Sequence, residues 1–302
     1  MSPSQIVTPK IEYDEPLWKH TSVKVGGPAR LFTRVRGSEE LLNAIRWAIA
    51  ENVPFMVIGS GSNIVVADAG FNGLVINSIS REVRVVREED DQVIVELDAG
   101  TFLPTAAKKL ASLGLAGLEW GVGIPGTVGG AVVGNAGAYG GDTAERLVDV
   151  DAIDRRGEFI TLTNEELAFQ YRSSAIKRGE IEIAAVIRAR YRVFRSDPNL
   201  INIKIRHFLM ERKRKEPVEP SIGSTFKNPP GNYAGAIIES AGLKGLRVGG
   251  AMVSPKHANY IINTGNATAS DIRDLVETIR DLVLERKGIR LETEIEFKGD
   301  WQ

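Results

Sequence analysis

Apolar and polar positions along the chain alternate in short blocks, and these blocks predict its elements. Positions 31–35, 55–58, 64–66 and 74–76 read as strands. Residues 83–86 and 93–97 alternate around the acidic turn Glu88-Glu89-Asp90-Asp91, a hairpin pattern. Val148, Val150 and Ala152, followed by the turn 155–158, suggest a second hairpin. At 184–194, Ala185, Ile187, Ala189, Tyr191 and Val193 face away from Arg188, Arg190 and Arg192, as on a long half-exposed strand. Helical spacing appears at Leu41, Leu42, Ile45 and Ile49, with Ser38 as the expected N-cap and Pro54 beyond the end. Residues 103–113 are amphipathic and stop at Gly114. Asp197-Pro198 marks a boundary, after which 200–215 reads as a helix with a solvated basic end, Arg212 to Lys215. A short helix is expected at 233–241. A longer one has Ser270 as its cap and Ile272, Leu275, Val276, Ile279, Leu282 and Val283 on one face. A closing strand at 289–297 would face Leu291, Thr293 and Ile295 one way and Glu292, Glu294 and Glu296 the other. Residues 1–18 read as a tail.

Segment 118–142, LEWGVGIPGTVGGAVVGNAGAYGGD, breaks the pattern with nine glycines. Glycine loses more backbone entropy on folding than any other residue, so such density implies sharp bends or close approach. Flexible linkers are polar and rich in glycine and serine. Here Val122, Ile124, Val128, Val132 and Val133 are interleaved with the glycines, so the stretch is expected to lie against something flat or narrow. A nucleotide-type cofactor, with its phosphates and ring along the backbone, fits that description. A second glycine loop, Gly59-Ser60-Gly61-Ser62-Asn63, follows the strand at 55–58. Its N–H groups and hydroxyls could form an anion nest. It lacks the Gly-Lys-Ser/Thr of a Walker A loop and the spacing of the dinucleotide fingerprint. From residues alone, a tight turn and a phosphate site are equally good readings of it.

Composition narrows the chemistry. The chain has 302 residues, 43% apolar and 25% charged, enough for two or three domains with real cores. A net charge of −1 argues against nucleic acid or an anionic membrane as the main partner. Without cysteine there are no disulfides, thiolate nucleophiles, iron–sulfur clusters or cysteine–zinc sites. His20, His207 and His257 lie far apart, so no metal site is expected. The N-terminal residues do not read as a secretory signal and no apolar run is long enough to span a membrane, so a cytoplasmic location without membrane insertion is expected.

Four segments, in order, carry a resemblance. GSGSN (59–63), GIPGTVGGAVVGNAGAYG (123–140), YRSS (171–174) with GSTFKNP (223–229), and LETEI (291–295) resemble the UDP-N-acetylenolpyruvoylglucosamine reductases, over nearly the whole chain. The resemblance implies an α+β fold. A two-lobed FAD-binding unit of the vanillyl-alcohol-oxidase type (lobes 1–80 and 81–196) would precede a C-terminal α+β substrate domain at 197–302. It further implies FAD, bound non-covalently since the first glycine loop has no histidine, and NADPH as hydride donor. The substrate would be UDP-N-acetylglucosamine-enolpyruvate, reduced to UDP-N-acetylmuramate for peptidoglycan. The short spacing between Tyr171 and GSTFKNP resembles the shorter subtype, without the tyrosine-loop insertion. A monomer is expected.

The resemblance also assigns roles. Reduction of the enolpyruvyl ether builds negative charge at a carbon and its carboxylate, so donors and a proton source are needed there. Ser224 matches the proton donor, and Lys227 and the 223–225 backbone are the neighbours that could support it. Arg172 and Glu294 match the other catalytic positions; periodicity alone does not separate Glu294 from Glu292 or Glu296. Gly59, Ser60, Gly61, Ser62 and Asn63 are expected on the FAD pyrophosphate. Gly121, Gly123, Ile124, Pro125, Gly126, Gly129, Gly130, Asn135, Gly137 and Ala138 are expected along the flavin and ribityl. Tyr171, Lys227, Asn228 and Lys244 are the expected substrate contacts. Lys256 and His257 read equally well as surface residues and are left out of the catalytic set. The competing readings are a flavin-dependent oxidase of another sugar or alcohol on the same fold, and a non-catalytic nucleotide-sugar binding module.

Overall fold

The alternation at 83–97 and 184–194 becomes one antiparallel sheet. In the computed structural model, which describes residues 6–89 and 92–301, its order is Phe159–Thr163, Leu147–Asp154, Ile183–Arg195, Gln92–Asp98, Val83–Glu89. The short strand Leu115–Ala116 pairs with the end of Ile183–Arg195. Tyr191 lies opposite Val95 and Val193 opposite Val93, all four buried, which is the expected apolar face. The other face is ionic. Arg190 sits 2.5 Å from Asp149, 2.6 Å from Asp151 and 3.0 Å from Glu96. Its hydrogen bond to Asp151, ahead of its other carboxylate contacts, raises its already high pKa. Asp90 and Asp91 of the expected acidic turn lie outside the described residues.

This sheet belongs to the first of two compact units, made of the described parts of 1–12 with 31–60 and 73–211. Two of the unit's apolar cores position the site. One lies between the sheet and the helices Leu103–Ser112 and Val128–Gly134. The other packs the helix Ser38–Ala50 through Leu41, Ala44, Ile45 and Ala48 onto Leu74, Ile76, Ile153 and Ile187. Strand Phe55–Ile58 pairs in parallel with Phe71–Ser78 over Leu74 to Asn77. Ser38 is not the cap of its helix. Gly37 is, without a side-chain cap bond, and the Ser38 hydroxyl instead donates to Asp98 at 2.7 Å.

The second unit comprises 13–30, 61–72 and 212–302. Its sheet runs Ser221–Ser224, Tyr260–Asn263, Ala251–Val253, Arg247–Val248, all antiparallel. The helices Ala234–Ser240 and Ala269–Lys287 close its core, with Ile272, Leu275, Val276, Ile279 and Val283 buried. Three expectations are corrected here. The long helix is capped by Thr268, which forms a reciprocal capping box with Asp271. Ser270 is already inside the helix, and its hydroxyl donates to Asp68 at 2.7 Å. The closing strand shrinks to Glu296–Lys298, paired in parallel with Ile64–Val66, because 291–294 spend their backbone bonds on residues 225–227 and 63. The supposed tail contains the strand Glu12–Pro16 and the fully buried Leu17.

Candidate active site

In the first unit the glycine-rich segment is a series of tight packings. It runs through the 3₁₀ turn Glu119–Gly123 and the helix Val128–Gly134, ending on Asn135 in the left-handed region at φ 43°. A side chain at Gly121 would stand 2.9 Å from Leu103, at Gly129 3.0 Å from Ala99, and at Gly137 2.6 Å from Asp142. Gly121 and Gly137 are required by the protein's own close contacts, and Gly129 is tightly packed. Gly130 differs: it is exposed, and a Cβ there would meet only Thr127 Oγ1, at 3.7 Å. The first glycine loop joins the same region. Ser60 Oγ donates to the carbonyl of Pro125 at 2.6 Å, and a Cβ on Gly59 would be 2.3 Å from Thr127 Oγ1. Segments 65 residues apart are thus brought together at Gly59-Ser60 and Pro125-Gly126-Thr127. Ile124 and Gly126 bond to Gly121 and Leu103 through their backbones, Gly123 approaches Tyr139, and Ala138 pairs with Gly141. Trp120 Nε1, inside this region, is buried with no hydrogen-bond partner.

The YRSS segment is anchored to that stretch. Gln170 and Ser173 exchange backbone bonds of 3.0 and 3.1 Å, which puts Tyr171 and Arg172 at the tip of a tight turn. Asn135 Nδ2 holds the Gln170 carbonyl at 3.0 Å, and Ser174 Oγ donates to Val133 O at 2.7 Å. Arg172 takes φ 55°, a strained conformation for a residue with a Cβ, and donates from Nη2 to Gly137 O at 2.7 Å. Its guanidinium also lies 5.2 Å from the Tyr171 ring centroid, and Tyr171 is 53% exposed.

In the second unit, two segments distant in sequence run side by side. Glu294 N donates to Thr225 O at 2.8 Å, Lys227 N donates to Glu292 O at 2.9 Å, and Phe226 bridges Thr293. Ser224, half-buried, precedes this ladder. Gly223, at φ +73°, lies within a register shift between Ser221 and Ser224 that leaves Ser224 opposite Tyr260. Asn63 joins the group, donating from Nδ2 to Glu294 O at 3.2 Å and accepting from Glu296 N at 3.0 Å. Gly61 is at φ +61°, and a Cβ there would collide with His20 O at 2.1 Å. Ser62 is half-buried beside it.

The acids that periodicity could not separate differ in their surroundings. Glu292 is exposed and ion-paired with Lys227, whereas Glu294 is half-buried. The expected substrate contacts are also engaged within the protein. Lys244 pairs with Glu239 at 2.6 Å, and Asn228 Oδ1 accepts from Ala234 N at the start of the helix Ala234–Ser240. Sequence reading missed Asn259. Its side chain accepts from Phe226 N at 3.0 Å and donates to Phe226 O at 2.8 Å, fixing the backbone just after Ser224. Only its setting in a buried apolar run could have flagged it. Lys256 and His257 are more engaged than surface residues. Lys256 Nζ donates to Lys213 O and Glu216 O, and burial lowers the His257 pKa.

Comparison with known proteins agrees over nearly the whole chain. The family profile for the FAD binding domain matches residues 29–163, and that for the UDP-N-acetylenolpyruvoylglucosamine reductase C-terminal domain matches 214–298. A UDP-N-acetylenolpyruvoylglucosamine reductase from Rubrobacter xylanophilus is 44% identical over 296 residues, covering 98% of each chain. One from Chloroflexus aggregans is 43% identical over 284 residues, covering 93% of this chain and 95% of the relative. The crystal structure of the reductase from Thermus caldophilus matches with a TM-score of 0.78 at 36% identity, covering 95% of this chain and 98% of that one. The α+β fold with an FAD-binding unit and a C-terminal domain is thereby borne out. The chain belongs to the UDP-N-acetylenolpyruvoylglucosamine reductase family and is an oxidoreductase built on an FAD-binding domain.

Proposed function

We propose that this protein reduces the enolpyruvyl ether of UDP-N-acetylglucosamine-enolpyruvate to give UDP-N-acetylmuramate, a peptidoglycan precursor, and does so as a cytoplasmic monomer. The reading is carried above all by the backbone ladder between 225–227 and 292–294, which sets Ser224 and Glu294 on adjoining segments of one unit. FAD fits the first unit. Two glycine segments meet there through Ser60 and Pro125, Gly130 opens onto free space, and the orphaned Trp120 N–H lies nearby. The cofactor would be held by Gly59 to Asn63 at its pyrophosphate and along Gly121 to Ala138 at its flavin and ribityl. When bound, FAD supplies to the methylene carbon a hydride taken from NADPH.

The chain's own residues do the rest. Ser224 gives its hydroxyl proton to the adjacent carbon. Arg172, which donates from Nη2 to Gly137 O, is the guanidinium that holds the substrate carboxylate. Glu294 stabilises the reacting end of the substrate, and Tyr171, Lys227, Asn228 and Lys244 hold its diphosphate and sugar. By role, residues 1–80 and 81–196 form the two cofactor lobes and 197–302 the substrate domain. Segments 13–30 and 61–72 belong to the cofactor lobes by role even though they pack with the second unit.

The two half-reactions separate these roles. Ser224→Ala should leave flavin bleaching by NADPH intact and slow re-oxidation by the enolpyruvyl substrate by roughly 10²- to 10⁴-fold, the range of general-acid contributions. Near-parental re-oxidation would remove Ser224 from the mechanism. Glu294→Gln should likewise slow only re-oxidation, while Glu292→Gln, which breaks an exposed ion pair, should leave both half-reactions unchanged. Equal, small effects of the two would sink the Glu294 assignment.

A further inference from the structure

The turn that carries Arg172 is pinned to the glycine-rich stretch by one buried amide. Asn135 is only 4% exposed and ends the helix Val128–Gly134 in the left-handed region, at φ 43°. Its Nδ2 donates to the Gln170 carbonyl at 3.0 Å, and its Oδ1 accepts from Ala144 N at 3.1 Å. The amide fits only one way round, because a backbone N–H only donates and a carbonyl only accepts. The same Gln170 carbonyl closes the turn, accepting from Ser173 N at 3.1 Å. Two further bonds tie this turn to neighbouring positions of the stretch. Ser174 Oγ donates to Val133 O at 2.7 Å, and Arg172 Nη2 donates to Gly137 O at 2.7 Å. Between Gln170 and Ser174 stands Arg172, at φ 55°. A residue with a Cβ is strained there, and it keeps that conformation only where its surroundings over-determine it.

We propose that Asn135 is a positioning residue for the reaction, its side-chain amide holding the strained turn that aims the Arg172 guanidinium at the substrate carboxylate. The proposal rests on the reading of Arg172 as the group that holds that carboxylate. It gives the Asn135 side chain a part distinct from that of the glycines around it. They offer backbone to the flavin, whereas both polar atoms of the Asn135 side chain are bonded inside the protein. The amide acts through Arg172 and touches no reacting atom. Its effect is geometric. An arginine serves a carboxylate through a planar fork, so its worth depends on where the fork sits. Relaxation of the turn to an unstrained φ would carry the side chain away from Gly137 O, and a misplacement of about 1 Å costs up to about 10²-fold in rate. The rival is a purely local role, since asparagine, like glycine, ends helices in the left-handed region. Glycine would then serve as well, yet glycine has no amide to offer Gln170.

Three substitutions separate these roles. Asn135→Gly keeps the left-handed helix end and removes the amide. Asn135→Asp keeps the bond from Ala144 N and sets an oxygen against the Gln170 carbonyl. Arg172→Ala removes the group through which Asn135 acts. The FAD-loaded protein, pre-reduced with NADPH, is mixed with enolpyruvyl UDP-sugar, and re-oxidation is followed at rising substrate concentration. Both Asn135 variants should lower its limiting rate about 10- to 100-fold, with the oxidised-flavin spectrum that of the parent. Added to Arg172→Ala, Asn135→Gly should cost no more than about a further twofold, because the two act as one unit. A second readout needs no flavin. Trypsin cleavage after Arg172 in flavin-free protein should quicken about tenfold in both Asn135 variants, as the turn opens more often. Circular dichroism confirms folding, and Asn135→Gly carries the test if Asn135→Asp does not fold. Parental re-oxidation and cleavage in Asn135→Gly would reduce the residue to a helix end and overturn the proposal. Losses that add to those of Arg172→Ala, or a shifted flavin spectrum, would put the side chain on the cofactor and overturn it equally. If Arg172→Ala itself re-oxidises at the parental rate, the reading of Arg172 fails and the proposal with it.

Discussion

Two regions of this protein solve the same problem by opposite means. Both must hold backbone in an unusual course. In the first unit, 118–142 does so by leaving side chains out: Gly121 and Gly137 approach Leu103 and Asp142 more closely than a Cβ would permit, and Gly129 lies tightly against Ala99. In the second unit, 223–228 does so by bonding side chains in, with Asn259 on both polar groups of Phe226 and Asn63 on Glu294. The first device is visible as composition. The second is visible only when partners distant in sequence are brought together. If the contrast is right, the two regions should also fail differently.

The largest stability loss is expected in the second unit. Asn259→Ala removes the acceptor for Phe226 N and the donor for Phe226 O, and Phe226 is only 1% exposed. Each orphaned buried group costs about 1–3 kcal/mol, so a loss of roughly 3 kcal/mol is expected. The midpoint of urea unfolding measures it. A loss below about 1 kcal/mol would mean that the ladder to 292–294 holds Phe226 without Asn259.

A slightly smaller effect is expected where side chains are missing. Gly59→Ala would put a methyl 2.3 Å from Thr127 Oγ1 and 2.7 Å from Thr127 Cγ2. Overpacking of this kind costs about 1–3 kcal/mol. Because the clash is with one residue, Thr127→Ala should recover most of the loss in the double variant. Additive losses in flavin-free protein would show that Gly59 is constrained by something other than Thr127.

These two sites also mark how far the sequence could be read. Period-two alternation survived intact in Ile183–Arg195, because one face is apolar core and the other a charged ladder. The same alternation misled at 289–297. Leu291 and Ile295 are buried as expected, yet the backbone between them bonds to 225–227 and 63 and never forms a regular strand. Ser38 and Ser270 were attractive caps on local grounds, but Asp98 and Asp68, remote in sequence, take their hydroxyls. In the candidate site, Ser224 and Glu294 were legible through motifs. Asn259 was not, since its side-chain bonds join it to Phe226, 33 residues away.

The smallest effect is the one that separates packing from ligand binding. Gly130 lies within the helix Val128–Gly134, is exposed, and has open space where Gly59 has Thr127. Packing gives it no reason to be glycine, and helix propensity argues against it. Alanine in a helix interior is favoured over glycine by roughly 0.5–1 kcal/mol, so Gly130→Ala should make the flavin-free protein slightly more stable. If the cofactor lies along this face, the added methyl intrudes on it, and the same substitution should weaken FAD retention, read as flavin fluorescence released on dilution. Opposite signs in the two measurements would assign this glycine to the ligand, just as Gly59 is assigned to packing. A gain in stability with unchanged retention would take the flavin away from this helix and leave the first glycine loop to hold the cofactor without it.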